Sequence, residues 1–126
     1  MNCWIQRHDL SAEDFVISDA SDAISKFESF DWLSELEKKK INEDKIETCP
    51  PGIGFVSGQG EILHICPQEN ETNMIHYHYP ESSKILWIIP VTSPKTITKN
   101  GISKNTVHTF IKLFFEKSYT EIIGTL

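Results

Sequence analysis

The chain has 126 residues and a mass of 14.4 kDa, the size of one domain with a single core spanning 1–126. Apolar residues make up 39% of it, and thirteen aromatics (seven Phe, three Trp, three Tyr) are spread along its length, which excludes a disordered composition. Eighteen acids against twelve bases give a net charge of -6, which argues against a nucleic-acid or anionic-membrane binder and leaves a basic protein partner open.

In chain order, residues 1–6 read as a short strand. Ser18-Asp19 reads as a helix N-cap, with Asp22 in the first turn, where the helix dipole favours acids. Ala20, Ala23, Ile24 and Phe27 fall on one stripe at helical spacing. Ser29-Phe30-Asp31 interrupts or recaps that helix, and Trp32, Leu33 and Leu36 continue an apolar stripe until shortly before Asn42. Cys49-Pro50-Pro51-Gly52 then breaks regularity, and the pattern changes from period 3.6 to period 2. Residues 53–57 and 61–66 read as a hairpin around Gly58-Gln59-Gly60. A polar loop at 67–73, a strand at 74–79, a tight turn at 80–83 and a strand at 84–89 follow. Pro90 and Pro94 are read as ending regularity, with a short edge strand at 95–98. Ser103 reads as the N-cap of a last helix whose apolar face is Val107, Phe110, Ile111, Phe114 and Phe115, with an end near Lys117 and a closing strand at 119–123. The fold class this predicts is α+β: an antiparallel β-meander of four to six strands packed with an N-terminal helical region and a C-terminal helix.

The charge is local. Residues 9–47 hold twelve acids and five lysines, a segment charge of -7, whereas 48–126 hold six of each sign. A concentration of this kind marks either a solvated helical surface or an interaction face. The candidate partner-binding residues are Asp19, Asp22, Glu28, Asp31 and Glu35, with Trp32 among them as the aromatic anchor.

Cys3, Cys49 and Cys66 are odd in number and lack metal-ligand spacing, so free thiols in a reducing cytoplasm are expected. No secretory signal is visible, and the longest apolar run, Ile85-Leu86-Trp87-Ile88-Ile89, is too short to span a bilayer. No nucleophile elbow or P-loop is present. Strand alternation does gather one mixed face. If the loop at 67–73 joins a regular hairpin, Cys66 pairs with Met74 and His64 with His76. The core face then carries Leu63, Ile65, Ile75, Tyr77 and Tyr79, and the other carries His64, Cys66, His76 and His78. Histidine and cysteine are the usual zinc ligands, but histidines two apart on a strand diverge, so no metal or other cofactor is assigned. A small metal- or thiol-dependent enzyme using these four residues, and a homodimeric adaptor associating through the strip, stand as alternatives.

The layout around Gly52-Ile53-Gly54-Phe55-Val56, Glu61-Ile62-Leu63-His64-Ile65 and Ile102-Ser103, closing with a capped helix at 106–115 and a strand at 119–123, resembles the immunity proteins of bacterial polymorphic toxin and contact-dependent growth inhibition systems. Where some members end on a tryptophan strand, this chain has Tyr119. The resemblance implies a cytoplasmic, non-enzymatic protein, monomer or homodimer, that binds a cognate toxin, often a nuclease. A nuclease groove must be basic to hold phosphate, and an acidic face complements it.

Overall fold

The computed structural model describes residues 1–58, 60–85 and 89–116, with side-chain surroundings for all of these except 80–85 and 89–95. Its elements are β1 (Asn2–Gln6), β2 (Ala12–Val16), α1 (Ala20–Ser29), α2 (Trp32–Asn42), β3 (Gly52–Val56), β4 (Ile62–Pro67), β5 (Thr72–Ile85), β6 (Ile89–Ser103) and α3 (Lys104–Glu116). The six strands form one sheet in the order β2-β1-β3-β4-β5-β6, antiparallel throughout. The fold is therefore α+β, as the sequence pattern predicts. The run β3 to β6 is a meander, and the two N-terminal helices return the chain from the β1–β2 hairpin to the inner side of β1.

Alternation divides the sheet into two faces. Cys3, Ile5, Ile53, Phe55, Leu63, Ile65, Ile75 and Tyr77 point to one face and pack with Ala23 and Phe27 of α1 and Val107, Phe110, Ile111 and Phe114 of α3. Each fully buried aromatic or branched side chain there is worth about 1.5–3 kcal/mol. The helices are capped as predicted. Asp19 accepts from the Asp22 N–H at 2.8 Å, Asp31 from the Ser34 N–H at 3.1 Å, and Ser103 Oγ from the Thr106 N–H at 3.3 Å. Asp31 thus recaps the chain into a second helix, and the two-residue break at Phe30 and Asp31 turns it.

One strand was not expected, and two local expectations need correction. β2 is a strand with no apolar alternation; its sequence AEDFV is largely exposed, and its charges protect a sheet edge instead of facing a core. Residues 80–83 form no turn. β5 runs through them to Ile85 and pairs with β6 in register from Tyr79↔Lys95 to Ile85↔Ile89, with His76 and His78 opposite Thr98 and Thr96. Pro90 and Pro94 are inside β6, the other edge strand, where a residue without an N–H is tolerated. Pairing of β4 with β5 stops at Ile62↔His78, so the outer parts of β5 and β6 continue as a two-stranded ribbon. The predicted end near Lys117 and the closing strand at 119–123 lie outside the described residues, as do Leu86, Trp87 and Ile88.

The expected apolar stripe of α2 holds only in part: Trp32 packs partly buried against the core and Leu36 is partly buried, but Leu33 is not covered. Leu33 is 61% exposed and Ile41 66%, and the buried residue of α2 is Glu35, at 3%. Its carboxylate accepts from the His8 backbone N–H at 3.2 Å and the His8 ring Nδ1 at 2.6 Å, and pairs with Arg7 at 3.5 Å and Lys38 at 3.8 Å. The His8 ring meets Asn42 Nδ2 through Nε2 at 3.2 Å, so an Nδ1–H tautomer satisfies both ends of α2. Burial pushes the Glu35 carboxyl up, but the hydrogen bonds from His8 and the charge of Lys38 more than reverse this and hold it below its ordinary value of 4.5. A carboxyl with a lowered folded-state value adds stability above its unfolded value, and that contribution is lost as pH falls through the folded one. Glu35→Gln is expected to lower the free energy of unfolding by about 2 kcal/mol at neutral pH. In urea titrations the gap to wild type should close as the pH is lowered toward about 3; a gap that is constant with pH would contradict the ion-pair role.

Candidate functional site

Two regions concentrate chemistry. The first is a groove of about 410 Å³ between the α1–α2 corner and the β4–β5 turn. Phe27, Phe30, Trp32, Leu33 and Leu36 supply its apolar lining, and Glu28, Asp31, Gln68, Glu71, Thr72 and Lys104 its polar groups. Leu33 and Leu36 also line a neighbouring hollow of about 160 Å³ bounded by Glu37, Lys40 and Glu69. Ion pairs tie the walls together: Glu28 to Lys104 at 2.6 Å joins α1 to α3, and Lys40 to Glu69 at 2.7 Å joins α2 to the β4–β5 turn. Both lysines are well exposed, so these pairs orient the walls more than they stabilise them.

The candidate partner-binding residues are distributed unevenly around this groove. Glu28, Asp31 and Trp32 line it. Glu28 also meets the His108 ring; burial pushes its carboxyl up, but Lys104 and His108 bring it below the ordinary glutamate range. Asp31 is an exposed cap, and so is Asp19 at the far end of α1, where the partly buried Asp22 of the first turn accepts from Ser18. Glu35 is turned inward to His8 and presents almost no surface. Glu71 and Lys104 were not singled out by the sequence. Glu71 has φ +58°, a left-handed conformation that turns the chain at the groove wall, and nothing in its neighbours signals this.

The indole of Trp32 does two things. Its Nε1–H donates to the Phe27 carbonyl at 2.8 Å, satisfying one of the last carbonyls of α1. Its ring stacks with Phe30 at 4.4 Å and Phe27 at 6.1 Å between centroids, leaving one flank in the groove.

The second region is the sheet face without helices. The register brings His64 opposite His76 and Cys66 opposite Met74, as predicted. Cys66 Sγ lies 3.2 Å from His64 Nε2, and one ligand atom from each of His64, Cys66 and His76 falls within 4.8 Å of the others. His78 is outside this trio, its Nδ1 meeting Thr96 Oγ1 at 2.7 Å. Trp4 lies across Gly54, where a Cβ would stand 2.1 Å from the indole, and its ring packs on His64 at 4.8 Å. Burial, then the charges of His76 and His78, lower the His64 pKa to about 4, so this ring is neutral at pH 7. Burial and the nearby Cys49 push the Cys66 thiol up to about 11.

Comparison with protein-family models, curated proteins and solved structures finds no match to this chain. Among the described residues no helix is long and apolar enough to cross a membrane.

The hydrogen bond from Trp32 can be tested apart from any partner. Trp32→Phe keeps the ring in the groove and removes the donor to Phe27, and is expected to lower stability by about 1 kcal/mol in urea titration. An unchanged midpoint and slope would contradict that role.

Proposed function

We propose that this protein is a non-catalytic binding module that captures a basic segment of a cognate protein in the groove beside Trp32, as an immunity protein captures the toxin it neutralises. The observation that carries this reading is the groove itself: exposed apolar side chains on α2 beneath a rim that is mostly acidic. Five acids (Glu28, Asp31, Glu37, Glu69 and Glu71) and two lysines (Lys40 and Lys104) line the groove and its neighbouring hollow. Leu33 stands out at 61% exposed beside the half-buried Trp32, the pairing of apolar centre and charged rim typical of binding sites.

The chemistry of the occupant follows. An acidic rim favours Lys- or Arg-bearing segments and speeds their approach, and the apolar floor takes one or two aliphatic or aromatic side chains. A toxin domain that acts on nucleic acid carries such basic surface out of necessity, because it must hold phosphate. In that setting the protein would work in the cytoplasm by covering the partner's substrate groove, with no chemistry of its own.

The deciding experiment expresses this chain with the product of the adjacent reading frame and measures their association. A one-to-one complex is expected, with an on-rate falling at least about tenfold between about 50 and about 200 mM salt. Leu33→Asp and the pair Glu37→Lys with Glu71→Lys should each weaken it about a hundredfold or more with the free protein's thermal midpoint unchanged. A salt-independent complex, or one that survives both sets of substitutions, would contradict the groove as the docking site. Self-association through the same surface, seen by light scattering without the partner, would place a second copy of the chain there instead.

A further inference from the structure

We propose that His64, Cys66 and His76 form a zinc site on the helix-free face of the sheet, with the fourth position of the metal open to water. The inference is independent of the groove, which lies elsewhere on the fold.

The placement comes from the backbone. His64 and Cys66 are two apart on β4 and so share a face, and His76 is the cross-strand neighbour of His64 on β5. All three side chains therefore rise from adjacent hydrogen-bonded strands, a rigid base for a metal. Zinc bonds of about 2.0 Å to nitrogen and 2.3 Å to sulfur put tetrahedral ligand atoms about 3.3–3.6 Å apart. The Cys66 Sγ to His64 Nε2 separation of 3.2 Å is already close to that edge, and the whole trio lies within 4.8 Å. A small rotation of the His76 ring closes the remainder.

Three neighbouring features suit a metal better than an empty sheet surface. His76 Nδ1 lies 2.9 Å from Thr98 Oγ1 on β6, the partner that fixes a ring so that Nε2 turns to the cluster. Gly52 lies against the pair: a Cβ there would meet His64 Nε2 at 2.7 Å, the Ile65 carbonyl oxygen at 2.8 Å and Cys66 Sγ at 3.0 Å, so glycine leaves room for both ligand atoms as well as for the backbone of β4. Trp4 and His76 flank the His64 ring, at 4.8 and 5.6 Å between centroids, and restrict its movement. Cys66 is 3% exposed, and each histidine is partly open, so the site is screened on the sulfur side and reachable on the nitrogen side.

The donor set selects the metal class. Two imidazoles and one thiolate suit zinc, or cobalt(II) as its spectroscopic substitute, and disfavour magnesium and calcium, which take oxygen ligands. On binding, the Zn–S bond replaces the S–H bond of Cys66 and one proton passes to solvent, while both histidines bind as neutral rings. Affinity is therefore expected to rise with pH.

The test uses the untagged full chain, stripped with chelator and titrated with zinc against a chromophoric competitor, and separately with cobalt(II). The expected result is one zinc per chain with a dissociation constant below about 1 µM. Cobalt should give a thiolate charge-transfer band and the intense visible bands of a four-coordinate site. His76→Gln, at a partly exposed position that the fold tolerates, should weaken zinc binding about a hundredfold, and Thr98→Val about tenfold. No zinc binding tighter than about 0.1 mM would overturn the site, and so would a cobalt spectrum without the thiolate band or an affinity unchanged in His76→Gln. Because the cobalt bands are read on the unaltered protein, a misfolded variant does not rescue the proposal.

Discussion

Glu35 fixes α2 to the body of the protein. Apart from Trp32, which packs partly buried against the core, α2 turns large apolar side chains outward: Leu33 and Ile41 face solvent, and its fully buried side chain is this one carboxylate. The acid reaches the turn between β1 and β2, where it accepts from the backbone and ring of His8 and pairs with Arg7. The same two residues serve the rest of the neighbourhood. The guanidinium of Arg7 pairs with Glu13 and lies over the Phe30 ring, and the His8 carbonyl accepts from the Cys49 N–H on the way to β3. One buried carboxylate thus joins a hairpin turn, a helix and the entry to the central meander. Removing its charge would leave His8 and Arg7 without the acceptor around which they are arranged.

The consequence is a helix whose apolar residues are available. Most amphipathic helices bury their apolar stripe. Here a polar tether does the holding, so Leu33 and the flank of Trp32 remain beside a groove. The sheet repeats this division on a larger scale. α1 and α3 cover one face with a conventional apolar core, and the opposite face keeps Trp4, His64, Cys66 and His76 in contact with each other instead of with a helix. Both proposed binding regions therefore arise where the fold has left an element or a face without an apolar cover.

Much of this was legible in the chain. The caps at Asp19, Asp31 and Ser103, the apolar faces of α1 and α3, and the pairing of His64 with His76 follow from local chemistry and period. β2 was not legible because a short charged edge strand has no buried face to impose alternation. The extent of β5 and β6 was hidden by prolines that break central strands and are tolerated at edges. Glu35 looked like any solvated helical acid, since its partner His8 is 27 residues away and only the tertiary fold joins them. The convergence of His64 and Cys66 depended on side-chain rotamers and on the space above Gly52, which no spacing rule encodes.

The proposed docking site for the partner is the groove formed by α2 and the β4–β5 turn. An amide and indole proton-nitrogen correlation spectrum of the chain, recorded as the partner is added, tests it most directly. The Trp32 indole signal and the amides of Asp31, Leu33, Glu71 and Lys104 are expected to shift or broaden first, while those of β2 and of His64, Cys66 and His76 hold still. Perturbations centred on the helix-free face, with the Trp32 indole unmoved, would contradict it.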